Sequence, residues 1–201
     1  MSAPVGLQTL PFDAHPIRTE RLLLRPLTEA DADDIYAYQS LPEAVRYLPW
    51  PLRNREESLE HTRTRAGFTG LKDDKDALIL AAELVGPDGA HGPVIGDLSV
   101  FLESGANAQI MIGWVFHPAW QRKGYATEAG RALLRLVFDE IGAHRVVAHV
   151  DPRNVASVAL CQRLGMRLEA LFIENEIFKG EWSDLTVYAI LDREWNPASY
   201  S

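Results

Sequence analysis

Residues 110–126 read Ile110-Met111-Ile112-Gly113-Trp114-Val115-Phe116, then His117-Pro118-Ala119-Trp120, then Gln121-Arg122-Lys123-Gly124-Tyr125-Ala126. The first seven form an apolar run of strand length, and Pro118 ends it because proline offers no backbone donor. Beyond the basic turn, Ala126, Ala129, Leu133, Val137 and Ile141 recur every three or four residues, the spacing of one buried helix face. A strand, a short glycine-containing turn and an amphipathic helix therefore follow one another. The helix's unpaired first amides, the positive end of its dipole and the cations Arg122 and Lys123 all favour an anion, most naturally a pyrophosphate. Gly124 lets the backbone approach that anion, and small Ala126 keeps the first turn uncrowded. A Walker loop is excluded because Lys123 precedes the glycine, and a dinucleotide fingerprint lacks its spaced glycines. An ordinary strand-helix turn with solvated charges is the other reading of these six residues.

Working outward, residues 21–25 read as a first strand, and Thr28-Glu29-Ala30-Asp31 resembles a weakened capping box opening a helix through Tyr38. A turn around Pro49-Trp50-Pro51 precedes a polar helix over residues 55–68. Residues 77–85 and 94–103 read as a hairpin joined by the Gly- and Pro-rich stretch 86–93. A strand over 145–150, a helix over 155–164 and a last strand pair around Lys179-Gly180-Glu181 complete the order. The class is mixed α/β (α+β), with a largely antiparallel sheet and helices on both faces. Residues 1–16, with prolines at 4, 11 and 16, lack periodicity and predict a loose arm, followed by one domain over residues 17–196.

The 201 residues, 47% of them hydrophobic, suffice for a single core. No apolar run is long enough to span a bilayer, and the N-terminus shows neither a basic cluster nor an apolar signal core. The single cysteine, Cys161, suits a reducing cytoplasm; it shares an apolar helix face with Val158 and Leu164, which points to packing rather than nucleophilic chemistry. A formal charge of -8 argues against nucleic acid as the main partner, since phosphate backbones want clustered Lys and Arg. It is compatible with a cationic amine substrate. No His, Cys and carboxylate spacing suggests a metal site.

The pattern Gln121-x-x-Gly124-x-Ala126 resembles the acyl-CoA pyrophosphate loop of the GCN5-related N-acetyltransferases. Within that superfamily the chain is most similar to the branch that acetylates ribosomal-protein N-termini and its uncharacterised relatives. The resemblance runs from Thr19-Glu20-Arg21-Leu22-Leu23-Leu24-Arg25-Pro26 through Asp151-Pro152-Arg153-Asn154-Val155-Ala156-Ser157 and Leu164-Gly165-Met166 to Trp182-Ser183-Asp184-Leu185 and Tyr188. It implies the family fold, acetyl-CoA as co-substrate without a metal, and an amine acceptor. Dimers are frequent among relatives, so the resemblance admits a homodimer, although the sequence sets no oligomeric state.

Site residues follow from the resemblance one by one. The family splays its central strand at a bulge so that pantetheine pairs with freed backbone groups, which fall here at Trp114 and Phe116. The Trp114 amide would then donate to the thioester oxygen as it gains charge. Gln121, Arg122, Lys123, Gly124, Tyr125 and Ala126 would hold the diphosphate. Asn154 would hold the cofactor arm and Ser157 would protonate the departing thiolate, although both also read as a helix cap. Tyr47 and Trp50 lie in the loop that covers the family's amine pocket, where a hydrophobic plug is the other reading. Asp97 faces either this pocket or a structural partner. The His117-Pro118 pair reads first as a turn.

The base is the harder question. At pH 7 an alkylammonium is almost wholly protonated, whereas an α-amine of pKa near ~8 is neutral in about a tenth of molecules. Met111, Ile112 and Gly113 supply no carboxylate. In the N-terminal-acetylating branch, a glutamate shortly before a Gly-x-Trp/Tyr-x-Asp stretch serves, and it matches Glu176. Alternation puts Phe172, Glu174, Glu176 and Phe178 on one strand face, where aromatic neighbours would desolvate a carboxylate. A solvated strand edge is the alternative. Two functions remain open: direct acetyl transfer to a protein N-terminus, polyamine, amino acid or aminoglycoside, or a non-catalytic acyl-CoA-binding module.

Overall fold

The computed structural model describes residues 6–196. In chain order the elements are β1 (Phe12–Asp13), β2 (Ile17–Arg18), β3 (Leu22–Pro26), α1 (Ala32–Gln39), α2 (Pro42–Val45), α3 (Arg55–Ala66), β4 (Gly70–Leu71), β5 (Ala77–Val85) and β6 (His91–Ser104). There follow β7 (Gln109–Phe116), α4 (Tyr125–Arg135), β8 (Arg145–Val150), α5 (Val155–Arg163), β9 (Arg167–Phe178) and β10 (Glu181–Leu191). Eight strands form one sheet in the order β2-β3-β5-β6-β7-β8-β10-β9, and β1 pairs with β4 in a small second ladder. Every neighbour in the large sheet is antiparallel except β7 and β8, whose crossover carries α4.

Side-chain alternation on the strands creates two apolar layers. Ile110, Ile112 and Phe116 turn toward α4 and α5, where Leu133 of α4, with Val137 in the wider π-helical turn that continues it and Ile141 at that turn's end, meets them fully buried. Val115, Ile79 and Ala81 turn the other way, against Ile35 and Tyr38 of α1. Each fully buried branched side chain contributes about 1.5–3 kcal/mol of transfer free energy, so the spacing seen in residues 126–141 fixes which side of α4 faces the sheet. α3 starts on a complete capping box: Asn54 Oδ1 accepts from Glu57 N at 2.9 Å, and Glu57 answers at Asn54 N at 2.8 Å.

Three expectations are corrected. Of the arm expected over residues 1–16, residues 1–5 lie outside the described residues, and 7–16 are not loose: Leu7 N donates to Gly105 O, Ala14 N to Thr69 O, and Leu7, Leu10 and Phe12 pack against the main core. The apolar residues among the prolines supply that attachment. Second, the hairpin turn is short, because β6 begins at His91. Third, Glu174 does not share a regular face with Glu176, since its backbone takes φ 50° at an irregularity where its N–H donates to Asp184 Oδ1. Such an insertion re-aims a side chain.

The pairing of β7 with β8 covers only Gln109 to Met111, against Arg145 to Val147. From Ile112 onward the strands part, although β7 stays in register with β6 from Leu102–Ile110 to Gly96–Phe116. The opening lies on the β8 side alone.

Candidate active site

That opening leads into a cleft of about 880 Å3, lined by Trp114, Val115 and Phe116, the loop before α4, the start of α5 and the segment 43–48. Its size suits an extended small molecule. Among the expected cofactor residues, Gln121, Arg122, Gly124, Tyr125, Ala126 and Asn154 line it together with Ser157 and Tyr47.

The loop is shaped by a 3-10 turn at Pro118–Trp120, in which His117 Nδ1 accepts from Ala119 N. Gln121 Nε2 then donates to Phe116 O at 3.3 Å, so this carbonyl points off the β6 ladder. Trp114, two residues earlier, shares that orientation. Arg122 and Gly124 both take left-handed backbone, with φ 61° and 86°, and Gly124 caps α4. A Cβ on Gly124 would stand 3.2 Å from Arg21 Nη2.

Arg21 is the fastening that sequence reasoning missed. Its Nε donates to Glu128 Oε2 at 2.7 Å, its Nη1 to Lys123 O at 3.0 Å, and its guanidinium lies 4.4 Å from the Tyr125 ring centroid. Its amide and the Thr19 hydroxyl both donate to Glu128 Oε1. Burial disfavours the Glu128 carboxylate, but hydrogen bonds from Thr19 and Arg21 outweigh that and hold its pKa below the usual range. Thr19 and Arg21 belonged to the recognised opening stretch, but only the fold brings them to α4. Lys123, by contrast, lies 4.6 Å over the Trp120 ring and is not among the cleft-lining residues.

At the α5 end, Asn154 Oδ1 accepts from Ser157 N at 3.2 Å, the capping role, while both side chains line the cleft. Trp114 Nε1 donates to Ser157 Oγ at 3.2 Å. Asp151 and Ser183 hold Arg153, and the Tyr47 hydroxyl donates to Arg153 O at 3.2 Å, closing one side of the cleft. Arg46, Arg153 and Arg163 add positive charge to the lining that Arg122 supplies. Of these only Arg153 stood in a quoted motif; no periodicity marks the others.

Three expected site residues lie elsewhere. Asp97 is 1% exposed, and its carboxylate accepts from Tyr38 Oη and from Arg65 Nη2, each at 2.5 Å. It is thus the structural aspartate of the two readings. Trp50 leans on His61 and lines a separate hollow of about 430 Å3 with Val45, Pro49 and Lys179. Glu176 pairs with Ser183 at the sheet edge, exposed and outside the cleft lining, so the aromatic desolvation expected of it is absent. Cys161 is buried, which pushes its thiol up to about 12, as packing requires.

A model of the acetyltransferase (GNAT) domain matches residues 21–167. The chain belongs to this family. It is 35% identical to an uncharacterized N-acetyltransferase, YnaD, of Bacillus subtilis, over 90% of this chain and 99% of that protein. It is 26% identical to the ribosomal protein uS5 alanine N-acetyltransferase of Escherichia coli, over 90% and 93%. A crystal structure of a GNAT-family acetyltransferase from Bacillus anthracis superposes with a TM-score of 0.77 at 28% identity, covering 89% of this chain and 99% of that one. As a GNAT acetyltransferase the chain is an enzyme. Among the described residues no helix is long and apolar enough to cross a membrane.

Proposed function

We propose that the chain transfers the acetyl group of acetyl-CoA directly to a primary amine. The observation that carries this reading is the parting of β7 from β8 after Met111 beside a loop with two left-handed residues and a cationic wall. Unpaired strand backbone suits an extended pantetheine arm, and the loop amides with Arg122 suit a diphosphate.

In the proposed reaction the neutral amine attacks the thioester carbonyl, the C–S bond breaks and CoA leaves as thiolate. The Trp114 amide stabilises the developing oxyanion, a contribution of about 3 kcal/mol for a preorganised donor. Ser157 relays a proton to sulfur, its hydroxyl being restored through water by the proton that the amine gives up; its oxygen already accepts from Trp114 and its own hydrogen is free to turn into the cleft. Glu176 takes the amine proton through water. Its support is its position in the family pattern and its pairing with Ser183, which touches cleft-lining Arg153.

The acceptor is a protein N-terminus or a small amine. A cytoplasmic homodimer belongs to the same reading, supported by the long edge strand β9, where Leu168, Leu171, Phe172, Ile173 and Ile177 are exposed. Sedimentation of the pure chain tests the dimer. Release of CoA thiol from acetyl-CoA against an amine panel tests the reaction. Tight CoA binding with no turnover on any amine favours a non-catalytic acyl-CoA module instead.

A further inference from the structure

Beneath the loop that carries Trp50, four side-chain nitrogens are buried without a hydrogen-bond partner: Trp50 Nε1, Arg53 Nη1, His61 Nε2 and Arg65 Nη1. They share one neighbourhood. The His61 ring centroid lies 5.0 Å from that of Trp50, and the guanidinium carbons of Arg53 and Arg65 lie 5.2 and 5.8 Å from it. Buried donors are ordinarily paired, so the Trp50 indole N–H and one nitrogen from each of two arginines, left free beside a His61 ring nitrogen, imply an occupant rich in acceptors. The charge is equally unbalanced. Asp97 and Glu57 are the carboxylates at hand; Tyr38 and Arg65 Nη2 already occupy the first, and the second accepts from Asn54 N and acts on Arg53 through charge, without a hydrogen bond to it. The Arg65 side chain is only 7% exposed, and its second nitrogen has no acceptor. Burial, then the charges of Arg53 and Arg65, outweigh Asp97 and bring His61 down to about 4, so it is neutral at pH 7.

The cluster adjoins the reacting strand. Arg65 Nη2 also donates to Ser99 Oγ at 3.2 Å, and Ser99 pairs with Gly113, the residue before Trp114. A Cβ on Gly113 would meet nothing nearer than Ser99 Cβ at 4.0 Å, which leaves room on this face of β7. Val115, on the same face, lines the cleft.

We propose that Arg53, His61 and Arg65 form an anion subsite for the acceptor, which is therefore an amine carrying a carboxylate. A guanidinium pairs with a carboxylate through parallel N–H donors, the geometry two half-free arginines offer. A polyamine or aminoglycoside would bring only like charge to them. The amine half of this proposal rests on the acetyl-transfer reading; the anion half does not.

The test compares two C-terminally amidated dipeptides, Ala-Glu and Ala-Gln, so that only the first carries a carboxylate, with spermidine and O-phosphoethanolamine alongside, using the full chain and acetyl-CoA. The expected result is a kcat/KM at least tenfold higher for Ala-Glu, falling to within twofold of Ala-Gln in Arg53→Gln, while CoA affinity stays constant. Arg53→Gln is the primary variant, because Arg65→Gln breaks the Asp97 pair and threatens the fold. A second arm needs no turnover: succinate, but not succinamide at matched ionic strength, should raise the His61 titration seen by NMR by half a pH unit or more, and less so in Arg53→Gln. Equal use of Ala-Glu and Ala-Gln with an unmoved His61 overturns the subsite and leaves acetyl transfer standing. Movement of His61 with no acetylated amine leaves the subsite standing and overturns the transfer reading. A preference for spermidine or O-phosphoethanolamine overturns the carboxylate assignment.

Discussion

The indole of Trp114 donates to Ser157 Oγ at 3.2 Å across the mouth of the cleft, joining the splayed part of β7 to the first turn of α5. The Ser157 amide is held in turn by Asn154 Oδ1. The hydroxyl is thus fixed at its oxygen and free at its hydrogen. Ser157→Ala is expected to lower kcat by roughly tenfold to a hundredfold, near the modest end of acid catalysis because a thiolate leaves readily. Calorimetry should show CoA affinity changed by less than a few fold, and steady-state kinetics reads the kcat.

Arg122 occupies a left-handed conformation that costs a non-glycine residue about 1–2 kcal/mol. Arg122→Gly removes that cost and the charge together. The melting temperature should hold or rise slightly while CoA binding weakens, with a shallower salt dependence than wild type. Gly124→Val is the contrasting change: a branched residue at φ 86° facing Arg21 should lose both CoA affinity and several degrees of melting temperature.

For Glu176→Gln the informative quantity is the pH profile. A base role predicts a loss of roughly a hundredfold at neutral pH that shrinks toward pH 9, where more of the amine is already neutral. Glu174→Gln serves as the control, since its backbone turns away from the regular strand. Identical profiles for wild type and Glu176→Gln would remove Glu176 from the mechanism.

Asp97 and Arg65 form an ion pair whose side chains are 2% and 7% exposed. Removing one partner strands the other charge, so Asp97→Ala should destabilise by about 3–5 kcal/mol in urea unfolding. Tyr38→Phe removes only a hydroxyl donor and should cost less, about 1–3 kcal/mol.

His61 sets a pH dependence of stability. Its folded pKa of about 4 lies below its ordinary 6.5, so between these values the unfolded chain binds more protons. Stability therefore rises with pH from about 4 to 6.5. His61→Gln should flatten thermal unfolding across that window. Asp31, Glu128 and Asp151, all held below the usual carboxylate range, contribute stability that is present above their unfolded pKa values and lost on further acidification.

What the sequence made legible was local. Residues 110–126 declared strand, loop and helix because apolar spacing and a glycine sit within one short stretch, and Asn154 with Ser157 declared a cap for the same reason. Contacts between distant segments were not readable. Nothing in Thr19 or Arg21 announces Glu128, more than a hundred positions on, and no local pattern couples Asp97 to Arg65 and Tyr38. Strand alternation failed at Glu174 because residues 173–175 face Asp184 alone, an irregularity that breaks the regular pairing the inference needs. Trp50 reads as part of the loop before α3, but its neighbours His61 and Arg65 come from that helix and no local pattern announces them.

Glu128 binds the turn before β3 and the first helical turn of α4 at once, through Thr19 and both the amide and guanidinium of Arg21. The anion loop is therefore braced from outside itself. Its curvature is inherited from the sheet's early strands, much as a bracket takes its angle from the wall it is bolted to. Thr19, Arg21 and Glu128 lie outside the cleft lining, yet on the proposed reading they determine how little the loop must reorganise when a diphosphate arrives, and so how much of the contact energy survives as affinity.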